Sequence, residues 1–216
     1  MPQVYADDKI TIELLPALGP LANNSYILRA TAGDEIAVVD VPEGFEAVLE
    51  ALGDDVERVT HVLVTHSHFD HWGGYDVMRT RISAPVYAGA EETDLDGSRD
   101  VQPLAAGAEV TIGGAAVTVL HTPGHTPGSI SLLTGGAVLT GDTLFPGGPG
   151  RSRSNEALQQ EIASITSQLY PLPDGTLVLP GHGDATTIGE SKAQYAVFAG
   201  KDHPAELSGD VSWLDS

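Results

Sequence analysis

Apolar residues fall along this chain in short clusters parted by Gly and Pro. Runs of that length and composition predict strands over Ile10–Leu15, Ser25–Ala30, Ile36–Val41, Val59–Thr65 and Val86–Ala88. Further strands are predicted over Glu109–Ile112, Ala115–His121, Ser129–Leu133, Ala137–Thr140 and Thr176–Leu179. Val38-Val39, Val62-Leu63-Val64 and Leu177-Val178-Leu179 do not alternate with polar residues, as expected of sheets packed on one face and covered on the other.

Helical spacing appears over Phe45–Leu52, Gly74–Arg81, Asn155–Leu169 and Ser191–Phe198. The third is the clearest. Ser154 is placed to cap it, Leu158, Ile162, Ile165 and Leu169 form its apolar stripe, and it stops before Pro171. Strands mixed with flanking helices predict an α/β (α+β) chain of two packed sheets with helices outside. No linker interrupts residues 1–200, which read as one domain, whereas the polar, acidic stretch 201–216 reads as a disordered tail.

Composition narrows the function classes. Hydrophobic residues make up 41% of the chain, yet no apolar run approaches the ~20 residues of a membrane span. The N-terminus lacks a basic-then-apolar layout, so a cytoplasmic address is expected. Ten basic against 30 acidic residues give a net charge of -20, which argues against partners rich in phosphate, nucleic acid and anionic membrane alike. There is no cysteine, so a metal site must use nitrogen and oxygen.

That matters because residues 65–71 read Thr-His-Ser-His-Phe-Asp-His. Imidazole and carboxylate together suit zinc, iron or manganese. His66, His68, Asp70 and His71 follow one predicted strand, and His125, Asp142 and His182 each follow another, where a rigid scaffold presents reacting groups. His71 breaks the strand alternation, so the segment turns and its ligands can divide between two neighbouring ions. Gly and Pro crowd all these loops.

The Thr65–His71 string, His-Thr-Pro-Gly-His-Thr-Pro-Gly-Ser at 121–129, Gly-Asp-Thr-Leu-Phe at 141–145 and Gly-His-Gly at 181–183 resemble the metallo-β-lactamase superfamily. Within it, the chain is similar to the hydroxyacylglutathione hydrolases (glyoxalase II) and their shorter bacterial relatives. The resemblance implies a four-layer αββα sandwich of two mixed β-sheets with the site at one edge. It also implies that His66, His68 and His125 hold a first divalent ion, that Asp70, His71 and His182 hold a second, and that Asp142 bridges them. Zinc is the expected metal, with iron or manganese as alternatives.

A hydroxide shared by such ions would attack a thioester carbonyl, with Asp70 orienting the water and handling its proton. The expected partner is a small-molecule thioester; oligomeric state is left open. A mononuclear-iron persulfide dioxygenase and a lactonase are the rivals within the fold. Arg151 and Arg153 are candidates to meet an anionic substrate group. Asp40 is expected to hold a site loop, His121 to sit outside the ligand set, and His61, His203, Tyr26 and Tyr195 to be structural. In glyoxalase II proper a C-terminal helical region with basic residues grips glutathione; Lys192 and Lys201 are the only late cations here, so the thiol carrier stays open.

Overall fold

The computed structural model describes residues 2–92 and 100–215. Its first sheet runs in chain order through seven strands: β1 (Gln3–Ala6), β2 (Ile10–Leu18), β3 (Asn23–Ala30), β4 (Ile36–Val39), β5 (Val59–Val64), β6 (Val86–Gly89) and β7 (Val101–Leu104). The first four pair antiparallel and β4 through β7 pair parallel, with α1 (Glu46–Leu52) and α2 (Tyr75–Arg79) in the crossovers.

The second sheet contains β8 (Glu109–Ile112), β9 (Ala115–His121), β10 (Ile130–Thr134) and β11 (Ala137–Gly141), all antiparallel. A small hairpin follows, β12 (Leu144–Phe145) and β13 (Gly148–Pro149), then α3 (Asn155–Ser164), whose last turn continues as a π-turn through Leu169. Next, β14 (Leu177–Pro180) pairs parallel to β11 and antiparallel to β15 (Thr186–Thr187), before α4 (Ile188–Ala199).

Three apolar clusters explain the layering. Successive residues of a strand point to opposite faces. Val38, Val62 and Val64 therefore pack with Val48, Leu52 and Met78 of α1 and α2. Their neighbours Ala37, Val39 and Leu63 face the other way, into a core shared with Ile130, Leu132 and Leu139 of the second sheet. Val138 and Val178 turn outward to meet Leu158, Ile165, Ile188 and Phe198 beneath α3 and α4. Each central strand thus serves two cores, which is why its apolar run does not alternate. The result is the expected αββα sandwich of two mixed sheets. No helix among the described residues is long and apolar enough to cross a membrane.

Several elements differ from the pattern-based expectation. β1, β7 and β15 were not anticipated; they are short, and β1 and β7 are half exposed. β2 continues past Pro16 to Leu18 through a register shift, with Ala17 at φ 57°. α2 is one turn, not the predicted span to Arg81.

The largest departure is the segment after Gly200, which packs rather than trailing free. Trp213 is fully buried against Tyr195 and Phe198, at ring-centroid distances of 5.1 and 4.8 Å, and Val211 and Leu207 join the same cluster. Ser152 and Gly209 exchange backbone hydrogen bonds of 3.1 and 3.0 Å, and Trp213 N donates to the Gly147 carbonyl at 2.7 Å. Few apolar residues suffice here because one of them is a tryptophan. Trp213→Ala is expected to lower unfolding free energy by about 3–5 kcal/mol in urea titration; a loss below about 1 kcal/mol would show that the segment contributes no packed wall.

Candidate metal centre

Four strand ends deliver the candidate ligands to one edge of the sandwich. β5 runs into Thr65–His71, whose last three residues form a single 3₁₀ turn. β9 leads to His125, β11 to Asp142 and β14 to His182. Gly181 is required by this convergence: a Cβ there would lie 2.3 Å from Asp142 Oδ1 and 2.5 Å from His71 Cε1.

The seven side chains form three overlapping groups, His66–His68–His125, His66–His71–Asp142 and Asp70–His71–His182, each with potential ligand atoms within 4.8 Å of one another. His68 Nδ1 lies 3.1 Å from His66 Nε2 and 2.8 Å from His125 Nε2. His71 Nε2 is 3.3 Å from both His182 Nε2 and Asp142 Oδ1, and 3.5 Å from Asp70 Oδ2. Three imidazole nitrogens facing one another share at most a few protons, and Asp142 Oδ1 is buried with no hydrogen-bond partner among the described residues. Such a donor set fits metal cations, which would satisfy all of these lone pairs at once.

Outer contacts fix which nitrogen points inward. His71 Nδ1 donates to Asp40 Oδ2 at 2.8 Å, His125 Nδ1 to the Arg151 carbonyl at 3.1 Å, and His182 Nδ1 to the Leu21 carbonyl at 3.0 Å. Each ring thereby keeps an Nε2 lone pair for the centre. His68 is reversed, presenting Nδ1 inward, while its Nε2 lies 2.8 Å from Arg153 Nη2.

Charge is distributed to match. Burial holds His66 well below the usual imidazole range and lowers His125 to about 4; burial and then Arg153 lower His68. Burial opposes protonation of His71, but Asp142 and Asp40 outweigh it and hold its pKa well above the ordinary value. His182 is likewise lowered by burial but raised overall to about 10 by hydrogen bonds to Asp142 and Asp70. Burial works against ionisation of Asp70 and Asp142, yet neighbouring histidines, with Asn23 at Asp70, hold both low. Without a cation, protons on His71 and His182 balance the two carboxylates, so cation binding must release them.

Some supporting residues were not legible beforehand. Asn23 Nδ2 donates to Asp70 Oδ2 at 2.9 Å from 47 positions away. Glu161 is fully buried on α3; its Oε1 accepts from Gly150 N at 3.1 Å, its Oε2 has no partner among the described residues, and burial raises its carboxyl to about 9. The only advance sign of it was a glutamate three positions after Leu158, on the apolar side of the helix. Asp40 does hold the site loop: it accepts from Thr65 N and Thr65 Oγ1 at 2.8 and 2.9 Å.

Arg151 is exposed and paired with Asp210 at 3.2 Å, while Arg153 stands against His68. His121 bonds the Pro127 carbonyl, His61 stacks on Tyr87, His203 stacks on Phe198, and Tyr26 donates to the Pro180 carbonyl within the core. Beside the centre opens a cavity of about 440 Å³, floored by His125, Asp142 and His182 and walled by the β12–β13 hairpin and Asp210–Ser212.

Comparison with known proteins agrees with the fold. Residues 18–195 match the metallo-beta-lactamase superfamily, and the chain belongs to that superfamily of metallo-hydrolases. It is similar to the probable metallo-hydrolase YqgX of Bacillus subtilis (strain 168), with 32% identity over 191 residues, 79% of this chain and 90% of that one. A hydroxyacylglutathione hydrolase of Dechloromonas aromatica (strain RCB) is 34% identical over 163 residues, 76% of this chain but 59% of that enzyme. The crystal structure of TTHA1623 in a di-iron-bound form matches with TM-score 0.70 and 30% identity, covering 82% of this chain and 96% of that one.

Two outcomes follow from the supporting residues. Asp40→Asn should weaken divalent-cation affinity about 10–100-fold in a chelator competition titration, because it disturbs both the 65–71 loop and the His71 tautomer. For Glu161, the pKa is near 4.5 unfolded and about 9 folded, so it costs stability progressively as pH rises through that window. Glu161→Gln should therefore gain on the wild type by on the order of a few kcal/mol between pH 5 and 9 in denaturant melts; a difference independent of pH would refute the assignment.

Proposed function

We propose that this chain is a binuclear metal-dependent hydrolase acting on a thioester, a small acyl group carried on a thiol. The observation that carries the reading is the set of three overlapping donor groups, which share His66 and His71 and so support two adjoining sites rather than one. His66, His68 and His125 would hold one ion, and Asp70, His71 and His182 the other, with Asp142 between them. When bound, divalent ions supply Lewis acidity and a water that ionises near neutral pH.

The remaining work falls to the chain. Asp70 stands within the donor cluster with Oδ2 anchored by Asn23, so its carboxylate would orient the attacking water and take its proton. Asp40, Leu21 and Arg151 hold three imidazoles in one tautomer, so no reorganisation is needed as charge develops. Phe145 and the glycine-rich turn after it line one side of the cavity. Likeness to a hydroxyacylglutathione hydrolase supports the thioester as the bond cleaved.

Zinc is the proposed metal. Likeness to the crystal structure of ETHE1 from Myxococcus xanthus, at 32% identity and TM-score 0.72, favours one second reading, a mononuclear-iron persulfide dioxygenase. Elemental analysis of purified protein and a lactoyl-thioester assay with added zinc separate the two. Two zinc per chain, with kcat/KM falling more than about a hundredfold in His68→Ala, is the expected result. Absence of metal-dependent thioester turnover sinks the substrate assignment, and one iron per chain with oxygen uptake on a persulfide establishes the dioxygenase.

A further inference from the structure

The segment after α4 forms a wall of the cleft, and it is held there firmly. Besides the Ser152–Gly209 and Trp213–Gly147 backbone bonds, Gly148 packs so tightly that a Cβ on it would come within 2.4 Å of the Val211 carbonyl oxygen. With Trp213 buried as an anchor, Asp210, Val211 and Ser212 are fixed opposite the hairpin, above His125, Asp142 and His182. Across the mouth, Arg151 Nη1 donates to Asp210 Oδ2 at 3.2 Å.

Arg151 is the one lysine or arginine that lines this cavity among the described residues. Arg153 faces a different pocket, beside Ser67 and Gln160. The single lysine or arginine lining this cavity is thus already matched by a carboxylate on the opposite wall.

We propose that Asp210 is a specificity-determining residue of this cleft, and that the thiol carrier it admits has an uncharged arm rather than one bearing carboxylates. The inference rests on the thioesterase reading above and adds the carrier's charge class. A carboxylate-bearing arm would have to displace Asp210 from Arg151 and would still meet its negative charge at the mouth. An uncharged arm meets only the Arg151–Asp210 pair and the apolar surfaces of Phe145, Pro146 and Val211. Both charged side chains are well exposed, at 74% and 78%, so water screens the effect and the discrimination is a matter of several-fold, not orders of magnitude.

The test uses the full chain loaded with zinc and two thioesters of one acyl group: S-lactoylglutathione, whose carrier has two carboxylates, and S-lactoyl-N-acetylcysteamine, whose carrier has none. In the wild type, KM is expected to be higher for the glutathione thioester. Asp210→Asn should reduce the ratio of the two KM values about fivefold, and Asp210→Lys further, with the change fading at about 0.5 M salt. A residue that merely braced the wall would shift both KM values and kcat together and leave the ratio alone. A ratio unchanged in both variants overturns the assignment while the thioesterase reading stands. Turnover of neither thioester by the wild type overturns that reading, and the carrier assignment with it.

Discussion

Seven side chains bring their lone pairs and negative charge to one edge of this sandwich, and lone pairs that converge repel. The surrounding structure is arranged to hold them there regardless. A histidine left to itself would rotate away from its neighbours. Here the outer nitrogens of His71, His125 and His182 are tied to acceptors from separate parts of the chain, Asp40, Arg151 and Leu21. Rings tethered at one nitrogen cannot swing the other out of the centre, so the geometry is set by the scaffold before any cation arrives.

The tethers explain features that otherwise look unrelated. Asp40 adopts φ 59°, a conformation unfavourable for most side chains, and in it reaches Thr65 and His71 at once. Asn23 and Asn24 are both buried at the start of β3. Asn24 bonds the Pro180 and Gly183 carbonyls, bracing the turn that carries His182, while Asn23 anchors Asp70. Gly150 lies so close that a Cβ on it would sit 1.9 Å from the Asp142 carbonyl oxygen and 3.0 Å from His125 Nδ1, and Glu161 holds its backbone nitrogen. A carboxyl kept neutral by burial can fix that peptide without adding a third negative charge behind Asp142.

How much of this was legible follows from sequence separation. His66, His68, Asp70 and His71 sit in six consecutive residues, and the other three candidates stand in Gly-rich turns after apolar runs, so the cluster could be read directly. The layered fold was legible too, because Val62-Leu63-Val64 and Leu177-Val178-Leu179 have no polar face to leave in water. Partners of the ligands were harder. Asn23 acts on Asp70 across 47 positions, and nothing near either residue announces the other. The segment after Gly200 reads as a tail since composition averages over residues, whereas packing depends on individual ones: Trp213 alone outweighs its polar neighbours. Edge strands β1 and β7 escaped notice because half-exposed strands need few apolar residues.

The net charge of -20 acts at two ranges. At long range it concentrates divalent cations around the protein and disfavours anions, but salt damps this field beyond about 8 Å under physiological conditions. Within the cleft the balance is local. Asp70, Asp142 and the protons they hold on His71 and His182 form a site that is nearly neutral before loading, and cations entering it replace those protons. The centre therefore gains positive charge on loading and will attract the polarised carbonyl of any substrate, whatever its tail. On the thioesterase proposed above, discrimination among tails would come from groups far enough from the centre to escape that field and near enough to touch the carrier. In this chain that place is the cleft mouth, where Arg151 on one wall meets Asp210 on the other.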